Sequence, residues 1–296
     1  MSVTRAAVEL IFATLFWGFG FVGARWALEL FSPSWMSGIR FVLAFVIAIP
    51  AMLYIAKNGA FSNWKQTCKH SFWPGLYLVL TIVLQTWGLK YTTATNAGFI
   101  TTLYVVFVPI LQLIYLRKRI DLNHIVLVLV AVAGTALICQ WQANNWNKGD
   151  FLTVLCALCG ALHIVCISLY SEAIKNPFFF NNFQCLWAGG LALIFAFFSE
   201  PFHVGNLTPQ SAAGFIFLLF GSTLFGFWAQ VRAQRVLSAN AASLICLLES
   251  PFAGLFAFIF LGERLDIWQW TGAGLILLSA FVTIILEARK LTILRN

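Results

Sequence analysis

Apolar runs long enough to cross a membrane recur from one end of this sequence to the other. A helix needs about 20 consecutive apolar residues to span the hydrocarbon core of a bilayer. Only 9% of the residues are charged and 61% are hydrophobic, which leaves too little polar surface to cover a water-soluble globule. We therefore predict an all-α polytopic membrane protein with ten transmembrane helices in a lipid bilayer. The expected helices are 7–27, 35–56, 73–92, 95–116, 122–140, 151–171, 179–198, 211–231, 240–261 and 267–287.

The basic residues predict how these helices are oriented. Cytoplasmic loops carry an excess of Lys and Arg, and with the N-terminus in the cytoplasm thirteen of the 18 basic residues fall on that side. Both termini are therefore expected in the cytoplasm, and the short loops favour a bacterial inner (plasma) membrane. The net charge of +8 is scattered between apolar runs rather than collected in a stripe, so we expect no nucleic-acid partner. The thirteen residues are Arg5, Lys57, Lys65, Lys69, Arg117, Lys118, Arg119, Lys175, Arg232, Arg235, Arg289, Lys290 and Arg295.

Two segments about half a chain apart resemble each other. The first reads ATNAGFITTLYVVFVPILQLIYLRKRID from Ala94, and the second reads ANAASLICLLESPFAGLFAFIFLGERLD from Ala239. Each begins with Asn-Ala, contains one proline and ends in Arg-apolar-Asp. The prolines, Pro109 and Pro251, are 251 − 109 = 142 residues apart, whereas the asparagines are 240 − 96 = 144 apart. The alignment therefore needs small gaps, and it places the two prolines at matching sites, where we predict hinges.

The internal match predicts two inverted five-helix repeats, 1–145 and 146–296. Because five is an odd number, the second repeat must enter the membrane in the opposite sense to the first. Inverted repeats are typical of transporters, in which two similar halves exchange conformations around a central site.

Ionisable residues near the middle of predicted helices are the first candidates for that site, because such groups are costly in a bilayer. Glu249 directly precedes Ser250 and Pro251; it is either a cation- or proton-sensitive group in a cavity or a structural carboxylate bonded to a neighbouring helix. His163 either titrates, which would link transport to protons, or is a neutral side chain bonded to a backbone carbonyl. Arg40 lies only a turn or two into its helix, and we expect its side chain to snorkel outward.

Neutral polar and aromatic side chains at similar depth complete the predicted substrate-binding set. Polar groups of this kind can hold substrate or form hydrogen bonds between helices, and aromatic rings can stack on planar substrates, hold organic cations or simply pack. Gln184 and Thr223 lie at the same depth. The predicted set is Trp17, Gln85, Tyr104, His163, Trp187, Ser222, Trp228 and Glu249.

Four segments carry a resemblance to a known family: QTWGLKYTTATNAGFITTLYVVFVPIL (85–111), RAQRVLSANAASLICLLESPFAGLFAFIFLGERL (232–265), LFWGFGFVGARWAL (15–28) and IRFVLAFVIAIP (39–50). On these segments the chain resembles the drug/metabolite transporter superfamily, of the EamA type with two tandem EamA domains. The resemblance implies a ten-helix bundle around a central cavity lined by both halves, with the fifth and tenth helices peripheral. Similar proteins export amino acids, metabolites and toxic compounds, or take up solutes such as choline or S-adenosylmethionine.

The function we expect is secondary transport of small amino-acid-like or drug-like metabolites by alternating access, in the direction of export. Uptake of an organic cation or an adenosyl metabolite is the alternative; a membrane enzyme or a nontransporting membrane protein ranks below both. No Gly-rich loop ending in Gly-Lys-Ser/Thr and no common hydrolase motif occurs in the sequence, so we expect no ATP site and no enzyme. Cys156 and Cys159 have no further metal-ligand pair nearby, and neither a metal nor a cofactor is expected. Proton coupling and a homodimer are left open.

Overall fold

A computed structural model describes residues 1–57, 64–117, 121–138 and 146–293. In these ranges the chain is helical, and its only β-type pairing is an isolated bridge between Phe31 and Val204. The helices are α1 (Val3–Ala27), α2 (Pro33–Ile55), α3 (Trp64–His70), α4 (Phe72–Leu89), α5 (Ala94–Thr101), α6 (Tyr104–Leu116), α7 (Leu122–Ile138), α8 (Lys148–Tyr170), α9 (Pro177–Ser199), α10 (Pro209–Phe217), the π-helix Leu218–Gly226, α11 (Phe227–Ala233), α12 (Ala239–Cys246), α13 (Glu249–Leu261) and α14 (Ile267–Ile293).

The described part of the chain crosses the membrane ten times. Nine helical segments in it are long and apolar enough to span a bilayer, and the shorter apolar helix Leu122–Leu137 supplies the remaining crossing. The predicted all-α, ten-helix membrane fold is thus confirmed. Three crossings are less regular than predicted: the fourth divides into α5 and α6, the ninth divides into α12 and α13, and the eighth contains the π-helix. The short helix α3 was also not predicted.

The two halves interlock with a regular pattern of contacts. The second crossing, α2, packs on the seventh, α9, and the fifth, α7, packs on the tenth, α14. Other contacts between halves occur in matched pairs: α4 with α8 corresponds to α1 with α10, and α5 and α6 with α8 correspond to α13 with α1. Contacts that map onto one another when the halves are exchanged indicate a pseudo-two-fold relation, and five crossings per half invert the second half.

The contact between α2 and α9 is close because both helices use glycine there. A Cβ added to Gly38 would lie 2.6 Å from Cδ2 of Leu193, and one added to Gly189 would lie 2.7 Å from the backbone nitrogen of Val42. Small residues allow membrane helices to approach in this way. The contact sets the rotation of α2 about its own axis and thereby decides which of its side chains face the interior.

The junction between the halves is only partly described, because residues 139–145 lie outside the described ranges. The second half begins with a capped helix: Oδ1 of Asn147 accepts hydrogen bonds from the amides of Gly149 and Asp150 at 2.7 and 3.1 Å, and Oδ2 of Asp150 accepts one from the amide of Asn147. This reciprocal arrangement satisfies amides that the first turn leaves free. The boundary at 145/146 stays a prediction.

Candidate functional site

The fourth and ninth crossings are interrupted at equivalent places. Thr102 and Leu103 separate α5 from α6, and Leu247 and Leu248 separate α12 from α13. Both helix starts differ by the same number, 239 − 94 = 145 and 249 − 104 = 145. This register makes Tyr104 and Glu249 structural equivalents: each is the first residue after the interruption in its half.

In this register the two prolines are not at equivalent positions. Position 251 corresponds to 251 − 145 = 106, which is Val106, and Pro109 corresponds to 109 + 145 = 254, which is Gly254. The prediction that Pro109 and Pro251 occupy matching places is therefore wrong, because the sequence alignment introduced gaps that the helices do not have. Their role as hinges stays a prediction.

The two interruptions have different local causes. In the ninth crossing Pro251 lacks the N–H that would bond the carbonyl of Leu247. In the fourth crossing the hydroxyls of Thr101 and Thr102 donate to the carbonyls of Ala97 and Phe99, at 2.7 and 2.6 Å. Hydroxyls that bond carbonyls of the preceding turn compete with the backbone and loosen a helix.

The π-helix of the eighth crossing is tied to α1 through Trp17. The indole Nε1 of Trp17 donates to the backbone carbonyl of Ser222 at 3.1 Å. A Cβ on Gly226 would lie 2.5 Å from that nitrogen, so a glycine is needed where the ring approaches. Wider helical turns shift carbonyls away from their usual partners, and here a side chain from the other half supplies a donor.

The interrupted helices and the π-helix border a cavity of about 80 Å³ between the two halves. A single water molecule needs only about 10–15 Å³ of such space, so the cavity has room for more than one. The predicted residues that the structure brings together around it are Trp17, Gln85, Tyr104, His163, Ser222 and Glu249.

Trp187 and Trp228, the other two predicted residues, are not among the residues that line the cavity. The indole of Trp187 donates to the carbonyl of Cys68 at 2.9 Å, which fastens α3 to α9. The ring of Trp228 lies under the guanidinium of Arg232, 5.2 Å from its centroid, and Arg232 pairs with Glu9 at 3.2 Å. In the structure both tryptophans thus contact neighbouring elements outside the cavity.

Glu249 is buried and lines the cavity. Its residue surface is 8% exposed, and among the described residues it has neither a hydrogen bond nor an ion pair. The hydroxyl of its counterpart Tyr104 is also buried, and no described residue bonds it. The alternative of a structural carboxylate bonded to a neighbouring helix finds no support in the described contacts.

The histidine and the glutamine of the predicted set do have partners. Nε2 of His163 lies 3.3 Å from Oε1 of Gln184, whose Nε2 donates to Asn181 at 2.8 Å. His163 therefore bonds a side chain of α9 rather than the backbone carbonyl considered from the sequence. Nε2 of Gln85 donates to the hydroxyl of Thr101 at 3.3 Å, which links α4 to the fourth crossing at its interruption.

Arg40 is a cavity residue that sequence reasoning placed elsewhere. Only 3% of it is exposed, and it lines the cavity beside the residues named above. The expectation that its side chain snorkels outward is wrong, because the packing of α2 on α9 turns it into the protein. Its depth in the helix was visible in the sequence, but the rotation of the helix was not.

Comparisons with known proteins agree with this architecture. The EamA-like transporter family matches the chain twice, over residues 4–140 and 147–285. A protein named an uncharacterized transporter in Archaeoglobus fulgidus is 31% identical over 277 residues, which cover 94% of this chain and 85% of that protein. Protein PagO of Salmonella typhimurium is 23% identical, with 82% of each chain covered.

A solved crystal structure shows the same fold. It superposes with a TM-score of 0.74 at 16% sequence identity and covers 97% of this chain and 99% of the other. At that identity the likeness concerns the fold alone. The two tandem matches, the similarity to named transporters and the membrane-spanning helices lead to one conclusion: this chain is an integral, multi-pass membrane transporter that belongs to the EamA-like transporter family.

Proposed function

We propose that this chain is a secondary transporter that exports small, amino-acid-like or drug-like metabolites by alternating access. The observation that carries the proposal is the carboxyl of Glu249, which lines a cavity between the two halves and has no partner in the described part of the chain. A buried ionisable group without a protein partner is costly, and a substrate or a proton would relieve that cost. In this proposal the site comprises Trp17, Gln85, Tyr104, His163, Ser222 and Glu249.

The interrupted crossings suit this role. Discontinuous helices that meet near the membrane midplane at the interface of two repeats are typical of secondary transporters, whose repeats rock around a fixed site. Here the interruptions at 102–103 and 247–248 lie next to Tyr104 and Glu249, one from each half. A bend at either interruption would move a cavity-lining residue directly.

Contacts on the two faces of the molecule are the ones that alternating access must break and remake. On one face the carboxylate of Glu263 caps α5, because it accepts from the amides of Ala94 and Thr95 at 3.0 and 3.1 Å and from the Thr95 hydroxyl. On the other face Glu287 accepts from the amide of Ser238 at 3.2 Å. We propose that the Glu287 face is cytoplasmic, as are both termini, and that the membrane is a bacterial inner membrane.

Flux into proteoliposomes tests the proposal. Pools of labelled amino acids, choline-like cations and adenosyl metabolites are offered with and without a proton gradient, to the unmodified protein and to Glu249→Gln. Glu29→Gln, which changes an exposed glutamate, is the matched control. We expect saturable flux of one pool that Glu249→Gln lowers and Glu29→Gln leaves intact. Absence of flux above empty liposomes, from protein shown to be folded, would contradict the proposed transport mechanism. Flux that disappears when the proton gradient is removed would implicate protons.

Uptake of an organic cation or an adenosyl metabolite is the second candidate. It is favoured by the aromatic walls that Trp17, Tyr104 and Phe227 contribute next to the Glu249 carboxyl, since aromatic faces attract organic cations. The guanidinium of Arg40 in the same cavity opposes a substrate that is only cationic. Flux measured in both directions, with the choline-like pool as one arm, separates the two candidates. We propose no catalytic role for the cavity.

A further inference from the structure

The ends of three helices meet on the face that carries Glu287: α1 and α9 begin there, and α11 ends there. A basic hollow of about 540 Å³ lies between these ends, and three of the residues that line it are Lys175, Arg232 and Arg235. Ligand sites in proteins have volumes of about 300–1,000 Å³, so the basic hollow has the size of a binding site. It shares no lining residue with the central cavity.

The cations of the basic hollow are only partly neutralised. Lys175 and Arg235 are exposed, and in the described ranges their side chains form neither a hydrogen bond nor an ion pair. Arg232 pairs with Glu9 at 3.2 Å, and Glu9 also pairs with Arg5 at 3.0 Å. Four cations against one carboxylate leave a net charge of +3. An excess of basic residues is ordinary on a cytoplasmic face, but that rule does not gather them around one concave space.

An apolar groove adjoins the basic hollow, because Trp228 lines both. Val8 and Phe12 of α1 and Phe225 of the π-helix also line this groove, and the first two are exposed. At a helical rise of 1.5 Å per residue, Val8 and Phe12 lie about 5 and 10 Å along α1 from Arg5, toward the middle of the membrane. The groove therefore leads from the charged helix ends into the hydrocarbon region.

The ring of Trp228 lies where the two spaces join. The guanidinium of Arg232 is 5.2 Å from its centroid, and the ring of Phe225 is 6.1 Å away, centroid to centroid. The indole thus has a cation beside it toward the basic hollow and an aromatic neighbour toward the apolar groove. Tryptophan prefers this boundary between headgroups and hydrocarbon because its ring is apolar and its N–H is polar.

We infer that the basic hollow and the apolar groove together bind one anionic phospholipid, with its phosphate at Lys175 and Arg235 and an acyl chain along Val8 and Phe12. A soluble anion would leave the groove unused, and the cationic headgroup of a zwitterionic lipid would be repelled by the hollow. Basic pockets between membrane helices bind anionic headgroups on the cytoplasmic side, the side proposed for this face. The inference concerns a second site and does not depend on the proposed transport.

Native mass spectrometry of delipidated protein in detergent tests the inference. Dioleoyl phosphatidylglycerol, which is anionic, and dioleoyl phosphatidylethanolamine, which is zwitterionic, are titrated against the unmodified protein and Lys175→Gln/Arg235→Gln. Lys65→Gln is the matched control, because Lys65 is an exposed cation 5.9 Å from the ring of Trp64 and lines neither space. Thermal unfolding establishes that each variant is folded.

One surface cation strengthens the binding of an anionic lipid by about fivefold. We therefore expect the unmodified protein to bind one phosphatidylglycerol about 25-fold more tightly than phosphatidylethanolamine, since two cations are unpaired. Lys175→Gln/Arg235→Gln should lose this preference, and Lys65→Gln should keep it. Soluble glycerol phosphate should not displace the lipid at a similar concentration, because it has no acyl chain to occupy the groove.

Quenching by brominated acyl chains tests where the lipid tail lies. The fluorescence of Trp228 is obtained as the difference between the unmodified protein and Trp228→Phe, both in phosphatidylcholine vesicles. Brominated phosphatidylglycerol should quench this fluorescence at mole fractions at which brominated phosphatidylethanolamine has little effect. In Lys175→Gln/Arg235→Gln the two brominated lipids should quench equally.

Several results would overturn the inference. Equal affinity of the unmodified protein for the two lipids would do so, as would a folded Lys175→Gln/Arg235→Gln that keeps the full preference. Displacement by glycerol phosphate at a similar concentration would identify a site for a free anion instead. A preference that Lys65→Gln also abolishes would show that general surface charge selects the lipid. Because none of these measurements is a flux, they leave the proposed function to its own test.

Discussion

The two interrupted crossings share a backbone and differ in chemistry. Thr93 and Ser238 cap α5 and α12 in the same way, each accepting from the amide three residues on, at 3.0 and 3.2 Å. Both helices stop after eight residues and resume after two more. At the point where they resume, however, the first half has the phenol of Tyr104 and the second half has the carboxyl of Glu249.

The difference shows which properties the repeat preserves. The interruption depends on local features, a polar cap and a disturbed turn, that each half provides by its own means. The side chain at the interruption faces the cavity rather than its own helix, so it can differ between halves without changing the fold. In a pseudo-symmetric carrier the moving backbone can thus be repeated while the binding groups stay asymmetric.

The largest effect is expected where the two halves differ most. Glu249→Gln should lower the initial rate of flux by about 10- to 100-fold, as loss of a charged hydrogen-bond partner does, whereas Tyr104→Phe keeps the ring and should lower it only by a few-fold. Both rates are measured in proteoliposomes at equal amounts of folded protein. Equal reductions in the initial rate for the two variants would show that the chemical difference between Tyr104 and Glu249 does not affect transport.

The second comparison concerns the hydrogen bonds that Glu263 and Glu287 accept on the two faces of the molecule. Glu263 accepts three hydrogen bonds at the start of α5, and Glu287 accepts one near α12. We expect Glu263→Ala to lower the free energy of unfolding by about 2 kcal/mol, as loss of charged hydrogen bonds does. Glu287→Ala, at an exposed contact, should cost only about 0.5 kcal/mol.

Unfolding of both variants in mixed micelles measures this difference. Glu263→Gln serves as the control, because one amide oxygen still accepts and part of the cap remains. If Glu287→Ala proves the more costly change, the Glu263 face is not the more firmly closed of the two.

Much of this architecture follows from the sequence because it depends on bulk properties. The ten apolar segments are clearly distinct from the polar loops in the sequence. Ionisable groups such as Glu249 and His163 are identified as site candidates because burying them in a bilayer costs free energy. Six of the eight predicted site residues meet around one cavity. Trp187 and Trp228 do not, since an aromatic ring at the right depth serves equally well to bind a neighbouring backbone or cation.

The remaining features depend on contacts between residues distant in the chain. A backbone carbonyl of the π-helix, that of Ser222, accepts a hydrogen bond from Trp17, which lies 205 positions earlier in the chain. No local sequence pattern predicts such a distant partner. The inward direction of Arg40 follows from the packing of Gly38 and Gly189 between two helices. The gapped alignment of Pro109 and Pro251 was wrong for a related reason. The shared residue type suggested that the two prolines are equivalent, whereas the starts of the helices define a register in which they are not.

The third comparison concerns equivalent positions that pack differently. A Cβ on Gly98 would lie 2.6 Å from that of Ala253, where α5 meets α13, so Gly98→Ala should cost about 1.5 kcal/mol through overpacking. Its equivalent, 98 + 145 = 243, is Ser243, whose hydroxyl donates to the nearby Asn240 carbonyl at 2.9 Å. Ser243→Ala should cost about 0.5 kcal/mol.

Gly190→Ala is the control for the glycine change, because nothing lies within 4 Å of a Cβ there. It should be neutral or stabilising by up to about 1 kcal/mol, since alanine favours helix. Thermal unfolding of the three variants gives the order. A Gly98→Ala protein as stable as Gly190→Ala would mean that α5 and α13 are not held in close contact.

The smallest difference between the two halves is expected where their caps agree. Thr93→Ala and Ser238→Ala each remove a cap that serves one amide, at Asn96 and Ala241, and each should cost about 1 kcal/mol. The two losses should match to within about 0.5 kcal/mol. The double variant Thr93→Ala/Glu263→Ala, in contrast, should cost more than the sum of its two single changes, because neither cap then remains to hold the first turn of α5. Chemical unfolding of the single and double variants measures this coupling. A strictly additive double variant would show that the two caps of α5 act independently.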